Sequence, residues 1–165
     1  MDKITENAFE SEIVKQMVEG KDWVEGKIEK YDRQKCLYIQ DLTDFVKLTQ
    51  YEEWQKLTVA MEGDPTNSFV QDVSSAIYQR GTLDVLRNPF DILGCRFHLI
   101  YFIPASSRNE DLVKKFRTNI MTVVRQLRYS LKTENSIDLV LFVNGIPIFT
   151  AELKNQSSFQ SLNCI

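Results

Sequence analysis

One histidine, three cysteines, four prolines and six glycines in 165 residues leave little room for several kinds of chemistry. His98 is the only imidazole, so any mechanism that needs two is excluded. Cys36, Cys95 and Cys164 stand far apart. Zinc sites need close C-x-x-C-like spacings and secreted frameworks show an even count, so these read as free thiols in a reducing compartment. The longest apolar stretches, such as Leu139–Val143, are far too short to cross a bilayer. The opening MDKITENAFESE has no apolar core behind a basic end, so no signal peptide is read and a cytoplasmic protein is expected, without a membrane partner. No G-x-S-x-G is present, and a Ser-His-Asp triad would have to use His98, which sits in a strand-like run as a packed or surface ring. The segment Gly20–Lys27 (GKDWVEGK) comes near a phosphate loop but has five residues between its glycines, and Ile28 stands where a hydroxyl must bind magnesium. No NTPase motor is visible.

What is present is an ordinary globular composition, 43% apolar and 11% aromatic, with 20 basic and 23 acidic residues for a net charge of −3. A chain of this length buries more than half of its unfolded surface, enough for a core without covalent staples. The charge is uneven. Residues 1–64 hold 15 acids against 9 bases, and residues 65–165 hold 8 against 11. Between Lys114 and Lys132 lie six bases and no acid. Such a stripe is compatible with polyanion binding, although on charge alone a solvated face is the simpler account.

Periodicity divides the chain. Asn7-x-x-Glu10 has the form of a helix cap, and Phe9, Ile13, Val14, Met17 and Val18 then recur at helical spacing until Gly20. Cys36–Ile39 reads as a short strand. Phe45, Leu48, Trp54 and Leu57 suggest a second helix from Asp41, and Gly63-Asp64-Pro65 breaks it. Phe69, Val73 and Ile77 place a third helix, closed by Gly81. Beyond it the pattern turns to strands: Phe97–Ile103 (FHLIYFI), ended by Pro104 and a loop over Ala105–Asp111, then Asn119–Ser130, Ile137–Val143 and Ile148–Leu153, the last two joined by Asn144-Gly145. Helices first and an antiparallel meander after predict one α/β domain over residues 1–165. Residues 1–80 are acidic and mainly helical; residues 96–155 carry the meander, in a mixed sheet flanked by helices.

Within the meander, Asp138 and the pair Glu152/Lys154 form the one chemical constellation. Acid-x-lysine occurs three times, but Glu19-Gly20-Lys21 and Glu25-Gly26-Lys27 lie at a helix end and in a charged loop. Only Glu152-Leu153-Lys154 ends an apolar strand with a second carboxylate across a tight hairpin. Two carboxylates on adjacent strands can hold Mg²⁺, a cation that prefers oxygen ligands, lowers the pKa of a bound water and neutralises developing charge. Residues two apart on a strand share a face, so Lys154 stands beside Glu152, where an ammonium can orient water or stabilise a phosphoryl transition state. The geometry carries a condition. If the loop is Asn144-Gly145 alone, Asp138 pairs with Ala151 and the carboxylates face opposite ways. An odd loop, or a bulge, is required. From the residues alone, a surface acid at a strand start and a surface pair on an edge strand fit the pattern equally well.

SIDLVLFVNGIPIFTAELKNQ resembles the nuclease segment of the R (restriction) subunit of type I restriction enzymes. QRGTLDVLRNPF, FHLIYFIPASSRNEDL and NIMTVVRQLRYS resemble the blocks that precede it, and TENAFESEIVKQMVEG its first helix. The resemblance runs through nearly the whole chain in order. It implies a restriction-endonuclease-like PD-(D/E)xK core and a Mg²⁺-dependent, type I site-specific deoxyribonuclease domain. Such a domain cuts duplex DNA in defence against foreign DNA, with site choice left to methyltransferase (M) and specificity (S) subunits. By position, Asp138 and Glu152 bind the metal and Lys154 is the catalytic lysine. Glu10 or Glu6 is a weaker candidate for an accessory acid, for each of which a solvent-facing helix acid is the simpler account. Arg125 and Arg128, with Lys154, are candidates for phosphate contact. Arg125 and Gln126 fall in a matching block, the latter with no assigned role. The sequence departs from the pattern in three places. Only eleven residues follow Lys154, and Gln160 is too close to it to be the supporting glutamine of the family's next helix. Asn88-Pro89 stands where the family has a glycine turn. The ATP-using motor domains are absent, so ATP is not expected to bind, and the chain reads as an N-terminal fragment or truncated product. The alternatives are a catalytically silent module that binds DNA or docks on a restriction complex and, more weakly, a nuclease-like fold from another DNA-processing protein.

Overall fold

β-Branched and aromatic residues concentrate in the last third of the chain, and there the main sheet forms. The computed structural model describes residues 6–106 and 108–153. Helix α1 (Glu6–Glu19) leads into the short strand β1 (Val24–Glu25), a 3-10 turn at Ile28–Lys30, and the small hairpin β2 (Tyr31–Asp32) and β3 (Leu37–Tyr38). Helices α2 (Ile39–Thr49), α3 (Tyr51–Ala60), α4 (Thr66–Arg80) and α5 (Thr82–Arg87) follow, then the hairpin β4 (Phe90–Ile92) and β5 (Cys95–Phe97). Helix α6 (Glu110–Arg117) precedes the meander β6 (Met121–Arg128), β7 (Ser136–Val143) and β8 (Ile146–Ala151). The sheet order is β1-β6-β7-β8, with β1 parallel to β6 and the remaining pairs antiparallel. The architecture is therefore mixed α/β with a four-stranded mixed sheet, and no helix among the described residues is long and apolar enough to cross a membrane.

The largest apolar cluster joins α2–α5 and the β4–β5 hairpin to the far end of the meander, with Phe45, Phe69 and Phe97 fully buried and Trp54 edge-on to Phe69 at 5.3 Å. A second cluster holds Tyr38, Val124, Leu127, Val140 and Phe142 on one face of the sheet. A third packs α1 through Val14 against Val123 and Leu139 on the other.

Several expectations need correction. Asn7-x-x-Glu10 is not a cap: Asn7 lies inside α1 and its side chain accepts from Arg125 Nη2 at 2.6 Å, while Glu10 turns to the sheet. The helix expected from Asp41 is two helices, broken at Gln50 (φ −141°, ψ 45°), and Leu48 is exposed. A tertiary contact accompanies the break. The Gln50 amide is used as a strand partner, accepting from His98 N at 2.6 Å and donating to His98 O at 2.8 Å. FHLIYFI is not a strand beyond Phe97. Side-chain amides satisfy its backbone instead: Asn119 receives Tyr101 N and donates to Tyr101 O, and Asn144 donates to Leu99 O at 2.9 Å. Buried backbone groups must be paired, and here three amide side chains do what a neighbouring strand does elsewhere. Helices α5 and α6 were not expected, and β8 begins at Ile146 rather than Ile148. The basic residues between Lys114 and Lys132 are spread over α6, β6 and the loop after it rather than along one element.

Candidate active site

The β7–β8 hairpin sets the first geometric condition. Asn144 and Gly145 form a two-residue turn with φ of 48° and 77°, the positive angles such a turn requires. Val143 pairs with Ile146 and Phe142 with Pro147, but Leu141 then pairs with Phe149. Ile148 is the extra residue of a β-bulge, and it changes the parity of everything after it. Extending the pairing Leu139↔Ala151 by one step sets Asp138 opposite Glu152. Asp138 Oδ2 accepts the backbone N–H of Leu153 at 2.6 Å, which fastens the end of β8 to the start of β7. Ala151 and Leu153 pack beneath α1, and Glu152 between them is exposed.

A second irregularity sits across from Asp138 on β6. Up to Val124 the sides alternate normally: Val123 packs beneath α1 and Val124 packs on the other face. By that period Leu127 belongs with Val123, yet it packs with Val124, as Ile137 packs with Val140. The break is at Gln126, whose φ is 48° in mid-strand. The ladder passes from Arg125↔Leu139 to Leu127↔Ile137 around it. A left-handed backbone at a non-glycine residue costs roughly 1–2 kcal/mol, and such positions gather at functional sites.

The result is a polar cluster between α1 and the sheet. Gln126 Nε2 donates to Glu10 Oε1 at 2.8 Å and to Asp138 Oδ1 at 3.1 Å, and Ser136 Oγ donates to Gln126 Oε1 at 2.8 Å. Glu10 is only 3% exposed. It is not the solvent-facing helix acid that its type suggests. Its second oxygen, Oε2, has no hydrogen bond and faces Arg125 Nε at 3.6 Å, an ion pair too long to be a hydrogen bond. Glu10 shares the stripe of Ile13, Val14 and Met17, three, four and seven residues on. An acid on an apolar stripe was the available signal for its burial.

Other expected residues are dispersed. Arg125 reaches α1, bonded to Asn7 and facing Glu10, with its side chain still partly exposed. Arg128 is exposed and pairs with Glu134 at 2.7 Å. It lines a cleft beyond Gln126 with Ile28, Tyr31, Arg33 and Ser136. Glu152 makes no hydrogen bond or ion pair among the described residues. Lys154 and Gln160, and the side chain of Glu6, lie outside what the structure describes. His98 is exposed and stacks near Tyr101 at 5.8 Å.

Carboxylates are hard oxygen donors of the kind that Mg²⁺ takes. Among the described residues no three of His, Cys, Asp and Glu group closely enough to hold an ion. Mg²⁺, however, commonly takes one or two carboxylates and keeps several waters. Asp138, the exposed Glu152 and Glu10, whose Oε2 faces Arg125 Nε, are all hard oxygen donors, so the donor chemistry fits.

No curated protein and no solved structure matches the chain significantly. A protein-family model does match, over residues 3–163, and its description is Type I restriction enzyme R protein N terminus (HSDR_N). With the match spanning almost all of its 165 residues, the chain belongs to the family of type I restriction enzyme R protein N-terminal regions.

Proposed function

We propose that residues 1–165 are a single Mg²⁺-dependent endonuclease domain of PD-(D/E)xK type, which cleaves duplex DNA within a cytoplasmic type I restriction complex containing M and S subunits. The observation that carries this reading is the paired irregularity of the meander. The bulge at Ile148 gives the register that, extended one step past Leu139↔Ala151, brings Glu152 level with Asp138, and the left-handed Gln126 ties Asp138 to Glu10. With a two-residue turn, regular strands give neither relation. Asp138 and Glu152 are the residues that would hold Mg²⁺, with Glu10 as the accessory acid behind them. When bound, Mg²⁺ supplies Lewis-acid chemistry, activating water and offsetting charge on the phosphate. Leu153 N–H holds the Asp138 carboxylate in place. Lys154 is the residue to orient water and to stabilise the transition state, and Arg128 is the candidate for backbone phosphate contact at the cleft. Nothing in this arrangement reads base edges, in keeping with site choice by a partner subunit.

One observation favours a second reading, a catalytically silent module that docks or binds DNA. Both Glu10 and Asp138 are engaged by one amide, and Glu152 stands apart from them. Calorimetric titration of Mn²⁺ into the chain, beside Asp138→Ala and Glu152→Ala, separates the two. A single-site heat that both substitutions abolish, followed by plasmid nicking with the same dependence, is expected. No binding by the wild-type chain refutes the nuclease reading and leaves the silent module.

A further inference from the structure

We infer that Gln126 is a positioning residue whose side-chain amide stands in for a divalent cation between Glu10 and Asp138, and turns over when the cation enters. The inference rests on the cation-binding reading of Asp138.

The amide is placed as a cation would be. Both N–H bonds of Nε2 are spent on carboxylate oxygens, at 2.8 Å to Glu10 and 3.1 Å to Asp138. An NH₂ group carries partial positive charge, so it lets two acids share one pocket without direct repulsion. Glu10 is almost fully buried, and its remaining oxygen has no hydrogen-bond donor. It faces Arg125 Nε at 3.6 Å, an ion pair too long to be a hydrogen bond, so a buried carboxylate oxygen here lacks the close donor that such groups ordinarily have. The backbone at Gln126 is held left-handed, and that is what carries its side chain to the α1 side of the sheet. A residue kept in a strained conformation with every amide atom bonded is held there for its side chain.

The anchor on the other side permits the turnover. Gln126 Oε1 accepts from Ser136 Oγ at 2.8 Å. A serine hydroxyl both donates and accepts, so it can bond the amide in either orientation. With Nε2 on Ser136 and Oε1 toward the carboxylates, Gln126 presents a third hard oxygen beside Glu10 and Asp138. One rotation of the terminal amide thus exchanges a donor for a cation ligand without moving a strand.

The test is Gln126→Glu, which offers oxygen only, with Gln126→Leu as its partner variant. Affinity for Mg²⁺ and Mn²⁺ is read by calorimetry, and thermal stability is read in chelator and in excess Mg²⁺. Gln126→Glu is expected to bind the cation about tenfold or more tightly than wild type, because ligand charge count sets affinity. It is also expected to melt lower in chelator and to recover in Mg²⁺. A purely structural glutamine predicts the opposite, weaker or unchanged cation binding on substitution. A folded Gln126→Glu chain that binds no more tightly than wild type overturns the inference. If neither the wild type nor Gln126→Glu binds a cation, the reading of the site as a metal centre fails. The bridge is then judged alone, by the melting shifts of Gln126→Leu, Glu10→Gln and the double variant in chelator. Additive shifts overturn the bridge, and a double variant no worse than the poorer single supports it.

Discussion

Replacing Asn144 with alanine removes the knot that holds the tip of the β7–β8 hairpin. Its side chain is fully buried and makes three hydrogen bonds: Oδ1 accepts from Ile120 N at 2.7 Å, and Nδ2 donates to Leu99 O and to Asn119 Oδ1, each at 2.9 Å. Alanine leaves those partners without it in a buried site, at about 1 kcal/mol for each lost bond and up to about 3 where a group stays unsatisfied. It also puts a Cβ residue with no local hydrogen bonding at φ 48°, which adds about 1 kcal/mol. The expected loss is about 4–6 kcal/mol, of the order of a small domain's whole stability. Asn144→Gly loses the same bonds but tolerates the angle, so it should exceed Asn144→Ala by about 1 kcal/mol in stability. Urea denaturation of the three chains, followed by tryptophan fluorescence and by circular dichroism, measures both differences. An alanine variant within about 1.5 kcal/mol of wild type would show that water replaces the amide and that the knot carries little. A glycine variant no better than alanine would show that the backbone angle is not the constraint.

Two further outcomes are expected. Gly145→Ala should not fold to the native state, because a Cβ there collides with the Tyr38 carbonyl oxygen and comes within 2.9 Å of Leu42 N, at a φ of 77°; the loss of cooperative melting checks it. Burial raises the Asp41 carboxyl above its usual 3.8, against the opposing Thr122 hydroxyl bond. The folded chain therefore holds this proton more readily than the unfolded one, and the group's contribution to stability declines as pH rises from the ordinary carboxylate range through the raised value. Asp41→Asn should accordingly melt higher than wild type near pH 7, with the gap closing near pH 3, and a gap that persists in acid would sink the account.

Much of the scaffold was legible because it depends on local pattern. Ile137–Val143, the Asn144-Gly145 turn and the stripe of α1 are each specified by the residues that form them. The run FHLIYFI misled because β-propensity says a segment is comfortable extended, not that a strand lies beside it; here Gln50, Asn119 and Asn144 supply the partners from distant parts of the chain. In the site, Asp138 and its need for an odd offset could be argued from spacing, but the offset comes from a bulge at Ile148, which no glycine marks. Gln126 stood out in the sequence without a role, and its conformation was invisible for the same reason. Its left-handed angle goes with side-chain bonds to Glu10, Asp138 and Ser136, and nothing in VVRQLRYS announces them. Glu10 was readable as an acid on an apolar stripe, and the capping pattern concealed it.

The bulge at Ile148 makes chain length, and not only residue identity, part of the site. Deleting this one residue irons the hairpin into a regular ladder and advances Phe149, Thr150, Ala151 and Glu152 by one step, so that each exchanges one side of the sheet for the other. Glu152 then moves beneath α1 and Ala151 moves out, although every side chain of the meander but one is retained. Loss or gain of a residue pair leaves the phase intact. Along this hairpin, odd and even changes in length are different kinds of mutation: one inverts the site and the other only displaces it.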